Sequence, residues 1–209
     1  MRRLDGLLML PPSLRKVGQE RLLCWDLENR PLAYWYDGET TSEITAIGWK
    51  WSDERKVHTM LLQADGTFLK DDGSSFGSDD AYQRFAGLLA EAGIVYGHNI
   101  RRHDLPILNA ALIRRSLPTL PALLTTDTCK DLPRRGGLSY SLENMVAMYG
   151  IKGKKYAMSQ PAWEAANRLT PDGIGLARAR VASDVLLQER LRAKLLELGI
   201  LKAPKMWSP

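Results

Sequence analysis

Apolar and β-branched residues crowd the first third of the chain in short runs, the pattern of pleated structure. "RLLCWDLE" (21–28) reads as a first strand. "LAYWY" (32–36) and "EITAIGWKW" (43–51) read as further ones, and "KVHTMLLQ" (56–63) as another that ends at the Asp65-Gly66 turn. "DDGSSFGS" (71–78) is a polar Gly/Ser loop. From there the period lengthens to that of helices: Ser78-Asp79-Asp80 supplies an N-cap for "AYQRFAGLLAEAG", which ends at Gly93. A short buried strand "IVYG" (94–97) follows, then a helix over "DLPILNAALIRRS" (104–116), a strand in "ALLTTDT" (122–128), and a helix over "SLENMVAMYG" capped by Ser141 and closed by Gly150. The last long helix, Gly175 to about Leu198, carries Leu176, Val181, Val185, Leu187, Leu191 and Leu195 at helical intervals. Consecutive strands followed by alternating helices and strands predict an α/β fold: a mixed central β-sheet flanked by α-helices.

The first strand ends in a feature that packing does not explain. Side chains alternate across a strand, so Asp26 and Glu28 face the same way with Cα atoms roughly 6.5 to 7 Å apart. Two like charges so placed call for a cation. A second Asp-x-Glu, Asp37-Gly38-Glu39, reads as a turn. Two more carboxylates sit where burial is expected: Asp104 opens a helix just after a strand and a Gly-His-Asn turn, and Asp184 lies in the final helix among Ala182, Val185 and Leu186. If the four converge at one edge of the sheet, a site of oxygen donors without His or Cys suits Mg²⁺ or Mn²⁺ better than zinc.

Composition narrows the setting. The chain has 209 residues, 44% of them hydrophobic, enough for one sizeable core. Its two cysteines, Cys24 and Cys129, are too far apart in sequence to suggest a zinc ribbon or a disulfide framework, and they point to a reducing, cytoplasmic setting. No apolar run approaches the roughly 20 residues of a membrane span, so no membrane partner is expected. The opening residues are basic, briefly apolar and closed by Pro11 and Pro12, and they read as an N-terminal arm over 1–19 ahead of a single domain over 20–209. Net charge is +5, with pI near 9.2. Basic residues cluster at Arg101, Arg102, Arg114, Arg115, Arg134, Arg135, Lys152, Lys154 and Lys155, a distribution that permits polyanion binding.

Taken in order, "DLENRPLAYWY…ITAIGWKW", "GHNIRRHDLPILNA", "TTDT", "YSLENMVAMYGI…GKK" and "ASDVLLQERL" resemble the DEDD family of 3′–5′ exonucleases, which have a ribonuclease-H-like fold. The likeness runs over about residues 20 to 195 and is closest to small phage and bacterial members of the tyrosine-bearing branch. The resemblance implies a metal-dependent nuclease that hydrolyses phosphodiester bonds from single-stranded 3′ ends. DNA is the expected polymer, although the family also uses RNA. Two Mg²⁺ or Mn²⁺ ions would be held by Asp26, Glu28, Asp104 and Asp184, stabilising the attacking and departing oxygens. Asn99 falls where the family contacts substrate, and as a turn residue it has a structural reading too. Arg101, Arg102 and Arg180 are the cations expected against phosphate.

Two positions depart from the family pattern. A Tyr four residues, or a His five residues, before the last Asp orients or deprotonates the attacking water in relatives; here those positions hold Arg180 and Ala179. A guanidinium stays protonated and alanine does not titrate. Arg180 is therefore either an i,i+4 salt-bridge partner of Asp184 or a phosphate contact. The alternative function is a catalytically weakened domain that binds nucleic acid or nucleotides, as a phage accessory or interference protein. His103 replaces an aromatic residue before the second Asp, and it is expected to point away from the helix face carrying Asp104.

Overall fold

The computed structural model describes residues 21–32, 42–133 and 137–209. The expected N-terminal arm, the turn at Asp37-Gly38-Glu39, the aromatic run Tyr34 to Tyr36 and the pair Arg134, Arg135 lie outside the described residues.

The described residues contain β1 (Leu22–Pro31), β2 (Ser42–Trp51), β3 (His58–Leu62), β4 (Thr67–Lys70), β5 (Ser75–Gly77), α1 (Ser78–Glu91), β6 (Ile94–Gly97), α2 (Asp104–Arg114), β7 (Leu123–Asp127), α3 (Leu142–Met148), α4 (Gln160–Asn167), α5 (Pro171–Glu197) and β8 (Lys205–Trp207). The strands form one mixed sheet in the order β5-β4-β3-β2-β1-β6-β7-β8. β1 to β5 make antiparallel pairs, β1, β6 and β7 run parallel, and β8 closes the edge antiparallel to β7. Leu23, Trp25 and Leu27 on one face of β1 join Phe85 and Leu89 of α1 and Leu105 and Leu108 of α2 in the main core. The opposite face receives α5, where Cys24 packs with Val185.

Several elements extend or correct the sequence reading. The polar loop at 71–78 contains β5. Thr67 and Ser74 donate backbone N–H groups to the carboxylates of Asp65 and Asp72, two Asx turns that fold a short polar hairpin no apolar alternation announces. Gly77, not Ser78, is the N-cap of α1, with no side-chain capping bond, because the Ser78 hydroxyl donates instead to the Gly66 carbonyl. Ser141 does cap α3, accepting from the Asn144 N–H. α4 and β8 are additional elements. Ser159 caps α4 and Thr170 caps α5, each followed by a proline in the first turn. α5 thus starts before Gly175, and Gly173 has to be a glycine: a Cβ there would lie 2.1 Å from the Ala165 carbonyl oxygen.

Candidate metal centre

The site forms where β1 outruns its parallel neighbour. The β1–β6 register ends at Cys24 and Tyr96, so the next stretch of β1 has no strand on that side. Asp104, at the start of α2, fills the gap: its Oδ1 accepts the Leu27 N–H at 3.2 Å, although the side chain is only 3% exposed. Trp25 and Leu27 take the core side of the strand, so Asp26 and Glu28 turn to the other face, toward α5.

α5 brings the fourth acid. Gly173, Ala177, Val181, Asp184, Gln188, Leu191 and Leu195 form its buried stripe. The helix comes close to the sheet at Gly48, where a Cβ would meet Val181 Cγ2 at 2.9 Å, and Gly48 is the β2 partner of Asp26. One turn beyond Val181, Asp184 therefore reaches the β1 carboxylates. One oxygen each from Asp26, Glu28 and Asp184 lies within 4.8 Å of the others. Gln188 donates to Asp26 Oδ1 at 2.8 Å and fixes its orientation. An all-oxygen donor set of this spacing and charge fits a hard divalent cation.

Burial sets the electrostatics first. It pushes the Asp26 carboxyl well above the usual carboxylate range, and Asp104, Asp184 and Glu28 push it further while the Gln188 amide holds it back. Glu28 is pushed up to about 7, by burial and by Asp184, against the pull of Arg180 and Lys155. Burying this much like charge costs stability unless cations neutralise it.

Two cations of the chain do part of that. Arg180 Nε lies 3.3 Å from both Glu28 Oε1 and Asp184 Oδ2, its Nη1 donates to the Tyr156 carbonyl at 2.6 Å, and the guanidinium carbon sits 5.7 Å over the Trp163 ring. The i,i+4 pairing with Asp184 is present, and the same group also bridges to β1. Lys155 Nζ lies 2.8 Å from Asp184 Oδ2. Its loop is stitched to α5: the Tyr156 N–H donates to Ser183 Oγ at 3.0 Å, and Arg190 Nη1 donates to the Lys152 carbonyl at 2.6 Å. Neither Lys155 nor Gln188 was singled out by the sequence as a member of the centre.

The remaining candidates fall around this cluster in different ways. Asn99 has a left-handed backbone (φ 69°), gives its N–H to Asp127 Oδ1, and leaves its side-chain oxygen buried without a protein hydrogen bond. The structure puts the Arg101 guanidinium on the fully buried Asp131 carboxylate, with contacts of 3.0 and 2.5 Å. Arg102 is exposed beside His103, at a pocket between β2 and α2. His103 does not turn away from Asp104: its Nδ1 lies 3.6 Å from Asp104 Oδ2, and that carboxylate raises the imidazole pKa. The physical reason is that His103 precedes the helix with φ −124° and ψ −74°, so helical face geometry does not govern it. His98 is held in the strand-end turn between Thr128 Oγ1 and the Tyr140 carbonyl.

No protein-family model matches the chain, and no curated protein does. Among solved structures it is similar to the family B DNA polymerase from the hyperthermophilic archaeon Pyrobaculum calidifontis, with a TM-score of 0.58 and 13% identity over 85% of this chain and 25% of that one. The fold is ribonuclease-H-like. At that identity the likeness is one of fold, and this chain spans about a quarter of the polymerase's length. No helix among the described residues is long and apolar enough to cross a membrane.

Proposed function

We propose that this chain is a metal-dependent nuclease of the 3′–5′ exonuclease class, taking single-stranded 3′ ends, with DNA as the first polymer to test. The observation that carries the reading is the convergence of Asp26, Glu28 and Asp184, with Asp104 alongside, at the open end of β1 in a ribonuclease-H-like sheet. Mg²⁺ or Mn²⁺ held by these acids would supply charge stabilisation for an attacking water and for the departing 3′ oxygen. The chain's own groups do the rest. Gln188 orients Asp26, the Leu27 N–H orients Asp104, and Arg102 offers an exposed cation for phosphate. Asn99 is the further candidate for substrate contact.

Arg180 and Lys155 on the acids favour a second reading, a nucleic-acid-binding domain whose hydrolytic activity has weakened. End-labelled single-stranded DNA and RNA, incubated with the protein and Mg²⁺ or Mn²⁺ and resolved on a gel, separates the two. The nuclease reading expects laddering from the 3′ end that EDTA stops, and a fall of at least about 10²-fold in Asp26→Asn with the fold retained. Binding without cleavage supports the second reading. Metal-dependent cleavage unchanged in Asp26→Asn overturns the assignment of the site.

A further inference from the structure

The four acids carry a formal charge of −4, and the two ions implied by the family resemblance would match it. In this chain Arg180 and Lys155 already contribute +2 at the same oxygens. The contacts are not an accident of long side chains collapsing onto the nearest acid. Arg180 is only 15% exposed and makes four separate contacts: Glu28, Asp184, the Tyr156 carbonyl and the Trp163 ring. Lys155 is delivered by a loop whose backbone is tied to α5 at Ser183, Arg180 and Arg190, so its position is built from contacts outside the carboxylates. Gly153, with φ 116°, lets that loop pass over Arg190; a Cβ would meet Arg190 Nη1 at 2.7 Å.

We infer that Arg180 and Lys155 stand in for one of the two metal ions, so that the centre takes a single divalent cation. This rests on the nuclease reading above and concerns how that site is charged. The displaced ion is the one that Glu28 and Asp184 would share, because Arg180 Nε bridges those two carboxylates and Lys155 occupies the same Asp184 oxygen. A dication placed against Asp184 Oδ2 would face the ammonium and the guanidinium at short range. The retained ion belongs with Asp26 and Asp104, which contact no Lys or Arg among the described residues: Gln188 orients Asp26, and Asp104 takes the Leu27 N–H on Oδ1, with the His103 imidazole 3.6 Å from its Oδ2. Two carboxylates, water and a substrate phosphate form a donor set that Mg²⁺ accepts. The charge count closes as well: −4 from the acids, +2 from the two side chains and +2 from one ion.

The side-chain cations also differ from a metal in what they supply. An ammonium or guanidinium can attract a phosphate oxygen, and neither binds a water as a metal ion does. With one ion retained beside Asp26 and Asp104, Arg180 and Lys155 serve as positive charge toward the phosphate.

The test is a count. Metal-stripped protein is titrated with Mn²⁺, with free Mn²⁺ read by electron paramagnetic resonance, alone and again with a saturating nucleoside 5′-monophosphate. One Mn²⁺ per chain in both conditions, with no spin-coupled pair signal, is the expected result. Two Mn²⁺ in either condition overturn the inference and leave the metal-dependent nuclease intact. No Mn²⁺ at all overturns both. Lys155→Gln with Arg180→Gln removes the stand-in charge, and the count should rise from one to two, with the signature of ions about 4 Å apart. Lys155→Gln alone, a milder change at a residue 24% exposed, should raise the affinity for the second ion by at least tenfold over wild type. A folded double variant, checked by circular dichroism, that still binds one ion shows that these side chains do not set the number. That result overturns the inference.

Discussion

Replacing Glu28 by Gln should make the metal-free protein more stable, and the sign follows from the direction of its pKa. The carboxyl moves from its ordinary 4.5 up to about 7 on folding. An acid whose folded pKa is raised binds its proton more tightly in the folded state. Stability is therefore unaffected below the unfolded value, falls as pH rises from about 4.5 to 7, and stays lowered above that. At about 1.36 kcal/mol per unit, the charged Glu28 costs the fold about 3 kcal/mol at pH 8. Gln removes the charge and keeps an oxygen acceptor toward Arg180 Nε, now 3.3 Å from Glu28 Oε1. That cost is already the net of burial against the attraction of Arg180, so removing the charge leaves a gain of about 3 kcal/mol. For a chain of this length that is a rise in Tm of about 6 to 12 °C. Scanning calorimetry of EDTA-treated wild type and Glu28→Gln at pH 8 and pH 4.5 tests it, with the difference expected at pH 8 and nearly absent at pH 4.5. A variant that melts at or below wild type at pH 8 would refute the argument, since Arg180 and Lys155 would then compensate the buried acid fully.

Three further outcomes follow from other contacts. Arg101→Ala leaves the buried Asp131 carboxylate with only the half-exposed Lys205 ammonium at 3.5 Å and the Asp127 N–H, so thermal unfolding should show a loss of about 2 kcal/mol, whereas a surface phosphate contact would lose almost none. Gly97→Ala puts a Cβ 2.4 Å from Ile100 Cγ2 and 2.8 Å from the Trp25 carbonyl oxygen, and it should lower Tm by about 4 to 8 °C, a cost of about 2 kcal/mol for overpacking. Arg102→Ala should reduce the slope of log affinity against log salt for a single-stranded oligonucleotide by about 1, as expected for one lost phosphate contact; an unchanged slope would remove Arg102 from the interface.

What the sequence could show of the fold depended on how each element earns its stability. β1, β2 and β3 bury short, nearly continuous apolar runs and α1 buries apolar residues at helical spacing, and both patterns were readable. β4 is held by its pairing to β3, β5 by its pairing to β4, both with the help of Asx turns, and β8 by its edge position against β7, so they carry little hydrophobic signal of their own. The start of α5 was hidden for a different reason. Gly173 and Gly175 lower helix propensity, but Gly173 is demanded by the close backbone of α4, a tertiary constraint that outweighs local preference.

The acidic half of the centre was legible because each acid violates a local rule: two charges on one strand face, one at a helix start beside a strand end, one inside an apolar helical stripe. Gln188 left a trace of the same kind, a polar residue one turn after Asp184 on that stripe. The cationic half left less. Lys155 sits in an irregular loop where lysine is ordinary, and only the fold brings its ammonium onto Asp184. Arg180 was visible as a departure from the family pattern and as an i,i+4 partner, yet its bridge to Glu28 depends on how closely α5 meets the sheet at Gly48. Acids in buried positions announce themselves because burial without a partner is costly. The cations that answer them can come from any stretch of chain that the fold brings near, and so the charge balance of this cluster is a property of the folded structure.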